Sequence, residues 1–474
     1  VLRDSSARVE GQQKEVKMAR KSKFKVKLIS PGNGRYRPGM CDNRHNVAPL
    51  PLLTVAALTP DDYDVSIACE NVERIDFNER VDLVGITGVT ATSTRANQIS
   101  EVYREKGVKT VAGGLYPFYH TELAEQNFDA VVVGEAEHVW KTVLEDAAGN
   151  RLKKIYKSDT LPDLKNMPFP RFDVLNCKEK YVGLRVLETS RGCPYRCEFC
   201  TPTKFRGFKF RTRPIDEVIE DVKRLKAAPD LGLPSMFFID DNFVGNHNRT
   251  KQLLEKLIPL KVRWYSQASL EVTKDKEMMR LLQASGCEWL FVGVESLSPD
   301  VLKDTKKKSN FALDFAEAIR VLHKSRISVL GAFVFGLESE TKDIYRITSD
   351  FIDESQMDAM QFNLVYPYPG IATTAKLEQE GRVISRQWEN YLLDGVNYIP
   401  KRMTTDELRE GFYWLLREQC RDEKINKRIA NMNTGNRYSA AVEAENWGLK
   451  NQAHTVLDRV PCATVKEHYN LCRA

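Results

Sequence analysis

Three cysteines fall close together in this chain, Cys193, Cys197 and Cys200, within the run Cys-Pro-Tyr-Arg-Cys-Glu-Phe-Cys. A C-x3-C-x2-C spacing is a metal-holding pattern, and its chemistry turns on what it lacks. A [4Fe–4S] cube held by thiolates normally takes four cysteines. With three supplied by one short loop, one iron keeps an open coordination site. A cluster that binds and reduces a small molecule needs such a site, and a pure electron carrier does not. Structural zinc also takes closely spaced cysteines and would require one further ligand. The sequence offers no second C-x2-C pair and no His-x3-5-His run to complete it. Thiols packed only for hydrophobicity have no reason to gather in a polar loop beside Arg191, Arg196 and Glu198.

With Phe199 just before its last cysteine, the triplet resembles the signature of the radical S-adenosylmethionine (radical SAM) superfamily. The resemblance implies that the open iron chelates the amino and carboxylate groups of SAM. One electron from the cluster would then split SAM into methionine and a 5′-deoxyadenosyl radical.

Such a loop has to be held at one end of a rigid scaffold. From residue 183 onward, strands are expected at 183–190, 234–240, 263–269, 288–295, 327–336 and 358–365, with helices at 214–227, 248–258, 274–285, 310–325, 341–354 and 371–380. Ile215, Val218, Ile219, Val222 and Leu225 recur at helical spacing after Pro214, a residue favoured at an opening turn. Six βα units make a partial TIM barrel, (β/α)6, whose catalytic residues belong at the carboxyl ends of its strands. The triplet follows the first strand, at that end.

The other strand ends supply the SAM-binding candidates that the resemblance implies. Asp240 and Asp241, in Phe238-Ile-Asp-Asp-Asn242, would receive the SAM amino group, although Asp also commonly caps turns. Ser266 and Gln267 end the third strand. Glu295 matches the polar residue aimed at the SAM ribose, since a carboxylate can accept two hydroxyls. Its alternative is an ion pair with a nearby Lys or Arg. Gly336 lies in the segment that would contact adenine, where glycine permits close approach. Phe199 completes this SAM-binding set. Tyr366-Pro-Tyr-Pro-Gly370 resembles a turn common in cobalamin-linked members, with a packed turn as its plainer role.

Residues 24–148 alternate strands and helices in the manner of a Rossmann-like or flavodoxin-like parallel sheet. Strands are expected at 25–30, 65–69, 81–87, 109–112 and 130–133, with helices at 49–58, 93–106, 120–126 and 136–147. Ligands of such sheets sit beyond the carboxyl ends. There lie Pro31-Gly-Asn-Gly34, Thr87, Thr90, Thr92, Gly113, Gly114, Gly134 and Glu135, which are also ordinary turn residues. A domain of this kind before a radical SAM triplet resembles the cobalamin-binding domain of cobalamin-dependent radical SAM enzymes. That resemblance implies cobalamin bound by Thr87, Thr90, Thr92, Gly113, Gly114, Gly134 and Glu135. The Asp-x-His-x-x-Gly string that supplies a cobalt-ligating histidine in many such domains is absent, Asp42-Asn-Arg-His45 being the nearest approach. Either cobalamin binds without that histidine or the domain has lost it.

A chain of 474 residues is too long for one ordinary core. The expected division is a disordered extension at 1–23, the Rossmann-like domain at 24–148, a proline-punctuated connector at 149–182, the radical SAM core at 183–380 and a helical region at 381–474. Met18 is the expected natural start. Trp388, Tyr391, Tyr398, Phe412, Tyr413 and Trp414 of the last region are expected to cover the barrel mouth. A net charge of only +6 carries no basic stripe with interleaved aromatics, so nucleic acid is not an expected partner. No apolar run of about 18 residues predicts a membrane span, and no secretory h-region is seen. Ten cysteines, the densest three grouped for a metal, fit a reducing cytoplasm. Cys462 and Cys472 are expected to be packing residues rather than ligands of an accessory cluster.

The expected activity is reductive cleavage of SAM followed by cobalamin-dependent methylation of an unactivated carbon on a small-molecule or lipid-like substrate. A flavodoxin or ferredoxin would supply the electron. Radical cyclisation, oxidation or rearrangement of a lipid, tetrapyrrole or natural product without methyl transfer is the alternative, and a non-catalytic corrinoid- or metal-binding protein is the third reading.

Overall fold

The structure is a computed structural model describing residues 23–32 and 47–457, apart from 182, 233, 305–306, 308–309, 311–312, 389–390, 392–394 and 436–438. Expectations for Met18, Gly34, His45, Cys462 and Cys472 lie outside the described residues.

Val26, Leu28 and Ile29 of strand β1 (Phe24–Ser30) are all buried, as a strand with parallel neighbours on both sides requires. Those neighbours are β2 (Tyr63–Cys69) and β3 (Leu83–Thr87). Continuing outward are β4 (Lys109–Gly113), β5 (Ala130–Val133) and β6 (Ile155–Lys157), giving the all-parallel order β2-β1-β3-β4-β5-β6. The helices are α1 (Leu50–Ala57), α2 (Ser93–Glu105), α3 (Leu115–Tyr119), α4 (Thr121–Asn127) and α5 (Trp140–Ala148). Strand β6 falls within the expected connector and adds an edge strand to the first sheet. The helix expected at 120–126 is α4, and a short unexpected helix, α3, precedes it across His120.

The second sheet contains β7 (Val186–Leu187), β10 (Ser235–Phe238), β11 (Arg263–Ala268), β12 (Cys287–Glu295), β13 (Ser328–Phe335) and β14 (Ala359–Leu364), all parallel and paired in chain order. Between β7 and β10, a ribbon of β8 (Ser190–Arg191) and β9 (Arg211–Thr212) brackets α6 (Thr201–Phe205). Since β7 and β14 do not pair, the barrel is open, the expected (β/α)6 form. Its outer layer is α7 (Ile215–Ala227), α8 (His247–Leu257), α9 (Lys276–Ala284), α10 (Pro299–Asp304), α11 (Phe315–Lys324), α12 (Ile344–Ser355) and α13 (Ala372–Gln379). Val218, Val222 and Leu225 of α7 are fully buried, the stripe its periodicity predicts.

Three further helices follow: α14 (Thr405–Gln419), opened by a Thr404–Glu407 capping box, α15 (Asp422–Thr434) and α16 (Ala440–Leu457). Their position modifies the expected mouth cover. Met432 and Val442 pack on Tyr265, Trp289, Leu330 and Ala359 inside the sheet, and Asn446 Nδ2 donates to Asp358 O at 2.8 Å, before β14 begins. Thus α15 and α16 stop the amino end of the lumen. Trp388 lies at the opposite side, 4.5 Å from the His120 ring, while Phe412 and Tyr413 are buried on α14. No helix among the described residues is long and apolar enough to cross a membrane.

Candidate active site

The triplet loop leaves β8 through Gly192, whose φ is +86° and where an added Cβ would lie 2.2 Å from Lys209 O. Only glycine fits that turn. Its N–H donates to Asp241 at 2.7 Å. Cys200 N donates to Cys197 O at 3.2 Å, closing the loop. Thr203 Oγ1 donates to Cys200 Sγ at 3.1 Å, and Asn242 Nδ2 reaches Cys193 Sγ at 3.7 Å. Burial raises the pKa of all three thiols, that of Cys197 to about 11, with repulsion from neighbouring thiolates adding to the effect at Cys193 and Cys197 and the Asp241 charge at Cys200. Among the described residues no three Cys, His, Asp or Glu converge on a single ion. A closed zinc site needs that convergence. An iron–sulfur cube does not, since each cysteine takes its own iron. Phe199 is half-buried in the loop.

The expected aspartate pair is divided by its strand end. Asp240 is fully buried, and its carboxylate accepts from Thr189 N at 2.7 Å, Thr189 Oγ1 at 2.6 Å and Ser190 Oγ at 2.6 Å. Burial pushes its pKa up to about 6 against those bonds. It ties the end of β10 to the segment before the triplet. Ser266 is likewise fully buried, donating to Phe238 O at 2.6 Å. Asp240 and Ser266 thus hold strand ends together, while Asp241 bonds Gly192 and Gln267 lines the lumen with Tyr265.

At the end of β12, Glu295 has φ +68° and accepts from Lys307 Nζ at 2.6 Å. The ion pair is buried, and an added Cβ at Gly293 would strike both of its ends. Electrostatically, Lys307 opposes the burial effect on all three thiols. Asn310 Nδ2 donates to Gly293 O and Val294 O, fastening the lysine's loop to the strand end. Gly336, at the end of β13, donates to Glu340 at 2.8 Å and accepts from the Tyr398 hydroxyl. Glu340 also accepts from Ser296 Oγ at 2.6 Å, joining the ends of β12 and β13. Burial raises its pKa to about 7.

The first sheet presents its own carboxyl ends to the triplet. An added Cβ would meet nothing within 4 Å at Gly113 or Gly134, so open space adjoins the ends of β4 and β5. Gly114 packs against Thr87 Oγ1. Thr90 Oγ1 lies 3.3 Å from His120 Nε2, and burial lowers the pKa of that imidazole to about 4. Thr92 bonds back to Val89 within its own turn.

Glu135, expected among the cobalamin contacts, is engaged by arginines of the chain itself. Its carboxylate accepts from Arg191 at 2.7 Å, from Arg206 at 3.1 Å and from Arg211. Burial alone would raise its pKa, but the Arg211 hydrogen bond and the three guanidinium charges hold it down at about 2. Glu137 also pairs with Arg191, and Tyr119 Oη donates to Thr201 O at 2.5 Å. These bonds clamp the first sheet onto the loop carrying the cysteines.

Sequence reading missed Lys307, Glu340, His120 and the arginine cluster. Lys307 stands in the run Lys306-Lys-Lys308, which reads as a solvated basic stretch, and the arginines take their meaning from Glu135, more than fifty residues away. The Glu340 signal was local, a carboxylate four residues after Gly336.

The radical SAM superfamily profile matches residues 187–352. Bacteriochlorophyllide d C-12(1)-methyltransferase of Chlorobaculum tepidum is 31% identical over 415 residues, 86% of this chain and 90% of that protein. The hopanoid C-2 methylase of Rhodopseudomonas palustris is 26% identical over 73% of this chain and 67% of that protein. Among solved structures, the radical SAM methyltransferase TsrM from Kitasatospora setae, with cobalamin and a [4Fe–4S] cluster bound, superposes with a TM-score of 0.65 at 17% identity, covering 92% of this chain and 100% of that one. The last likeness speaks to fold alone. Taken with the long relative at 31% identity, the triplet and the paired parallel sheets, it closes the assignment: the chain belongs to the radical SAM superfamily, in its branch with an N-terminal cobalamin-binding-type domain.

Proposed function

We propose that this protein methylates an unactivated carbon of a small-molecule or lipid-like substrate, using SAM, a [4Fe–4S] cluster on Cys193, Cys197 and Cys200, and cobalamin above the first sheet. The observation that carries this reading is the opposition of two sets of strand ends, with the cysteine loop gripped from one side by Glu135, Glu137 and Tyr119 and from the other by Asp241 and Asn242. Methyltransferases among the relatives support the reaction class.

The residues present fit these groups. Three neighbouring thiols offer one ligand to each of three irons. Open space at Gly113 and Gly134 admits a large cofactor to the backbone. When bound, the cluster supplies the electron that cleaves SAM, and cobalamin supplies the methyl group. The protein positions and shields: Lys307 offsets thiolate charge, Glu295 offers a carboxylate at the lumen wall, and Asn242 and Thr203 donate to sulfur. We assign a reducing cytoplasm as the compartment and a flavodoxin or ferredoxin as electron donor.

Anaerobic reconstitution tests the reading. The expected result is a [4Fe–4S] spectrum lost in Cys197→Ala, 5′-deoxyadenosine release from SAM on reduction, and cobalamin retained in stoichiometric amount. Failure to form the cluster and to cleave SAM overturns the enzyme reading, and cleavage without cobalamin turns it toward radical chemistry lacking methyl transfer.

A further inference from the structure

The lumen of the open barrel is unfilled toward its amino end. A cavity of about 220 Å³ lies there, walled by Phe237, Tyr265, Trp289, Phe291 and Leu330, with the neutral amides Gln267 and Gln361 and the carboxylate of Glu445 on α16 also lining it. The rings form a ladder across adjacent strands, Phe237 stacked on Tyr265 at 4.7 Å and Tyr265 on Trp289 at 4.3 Å. Apolar side chains ordinarily close a barrel interior, yet the helix that stops this one contributes a carboxylate.

Among the described residues Glu445 has no hydrogen-bond or ion-pair partner, whereas its neighbour Asn446 is fixed by Arg428 and Asp358 O. Trp289 is 5% exposed, and its indole N–H is also unpartnered. The carboxylate is close enough to Tyr265 that its charge, after burial, raises the pKa of that hydroxyl. Burial lifts the pKa of Glu445 itself to about 7. A largely buried carboxylate facing rings and neutral amides, without a cation, is costly, so the position calls for a ligand that supplies one.

The cavity also shares a strand face with the site above it. Trp289 and Phe291 alternate along β12 in step with Gly293, over which the Glu295–Lys307 pair lies. From Phe291 to Gly293 the strand advances by roughly 7 Å, and its register shifts before Glu295. A substrate lying along the lumen could therefore place one end at the rings and a reacting carbon near Glu295.

We propose that this cavity anchors the end of the substrate remote from its reacting carbon, and that the end it selects is a protonated amine carried on an aromatic group, paired with Glu445. This rests on the radical SAM reading for the location of the reacting carbon. The test is calorimetric titration of the full-length, cluster-reconstituted protein with 2-phenylethylamine and with its neutral isostere 2-phenylethanol. The amine is expected to bind at least tenfold more tightly than the alcohol. Glu445→Gln should remove that preference while keeping alcohol binding, and Leu330→Trp, which fills the cavity, should weaken both. Equal affinities in the unmodified protein, no binding of either probe, or an amine preference that survives Glu445→Gln would overturn the proposal. SAM cleavage is measured on the same preparation. Cleavage without amine preference sinks the anchor alone, and amine preference without cleavage sinks the enzyme reading alone.

Discussion

Glu295 and Lys307 form a buried pair beside three thiols, and two accounts of the pair differ in what they predict. Taken as structure alone, a buried ion pair is nearly replaceable by apolar residues of similar volume, whereas removing one partner strands a charge at a cost of about 3–5 kcal/mol. Lys307→Met should therefore lower stability by about 3 kcal/mol in urea denaturation. Adding Glu295→Leu should restore most of that loss. If the pair also positions SAM, the double variant will regain stability without regaining SAM affinity, measured by calorimetry. Full recovery of both would reduce the pair to packing. The same scale explains which candidates were legible. The chain bends at Asp241, just past β10, so the two neighbouring aspartates part company, Asp241 accepting from Gly192 N. The backbone sent Asp240 to Thr189 and Ser190, and no feature of the string Ile-Asp-Asp-Asn marks which aspartate would go.

Elements defined by their own hydrophobic period were legible, and elements defined by a distant partner were not. The first barrel strand, expected at 183–190, is in the sheet only at Val186–Leu187, with Ser190 passing to β8, whereas the other five and the long α7 and α12 follow from apolar runs and turn residues in place. Strand β6 did not, because only Tyr156 of its three residues is buried. Likewise β8 and β9 have two residues each and are framed by a cluster of charges drawn from elsewhere in the chain. Glu135 is the centre of that cluster and gives it a pH dependence. Its folded pKa, about 2, is below the ordinary 4.5. Its stabilising contribution is therefore complete above about pH 4.5 and lost as pH falls toward 2. At ~1.4 kcal/mol per tenfold change in acidity, that is ~3 kcal/mol. Glu135→Gln should cost about that much at neutral pH, and the difference from the unmodified protein should shrink through this window. A difference that stays constant from neutrality to pH 3 would mean that the arginines find other partners.

At the scale of the whole molecule, two parallel sheets turn their carboxyl ends toward one loop, and each end is the ligand-binding end of its own sheet. The clamp at Glu135, Arg191, Arg206 and Arg211 makes this opposition a property of the folded chain. A cofactor above the first sheet would then adjoin the cysteine loop, which is why Gly113 and Gly134 gain their meaning only from the assembled pair. The missing Asp-x-His-x-x-Gly string removes one cobalt ligand but leaves that space untouched. Gly113 is the cleaner probe of it: Gly134 has φ +99°, which would strain any other residue, whereas Gly113 closes a strand with nothing within 4 Å of an added Cβ. Valine suits a strand and lowers the entropy of the unfolded chain, so Gly113→Val should leave thermal stability equal or slightly raised, by about 0.5 kcal/mol. Its side chain would nevertheless project where a corrin ring must pass. The expected outcome is a protein that keeps its cluster and cleaves SAM but loses cobalamin, read from the ultraviolet–visible spectrum after growth with the cofactor, and methylation falls with it. Stoichiometric cobalamin in this variant would place the ring elsewhere and leave the open strand ends without their ligand.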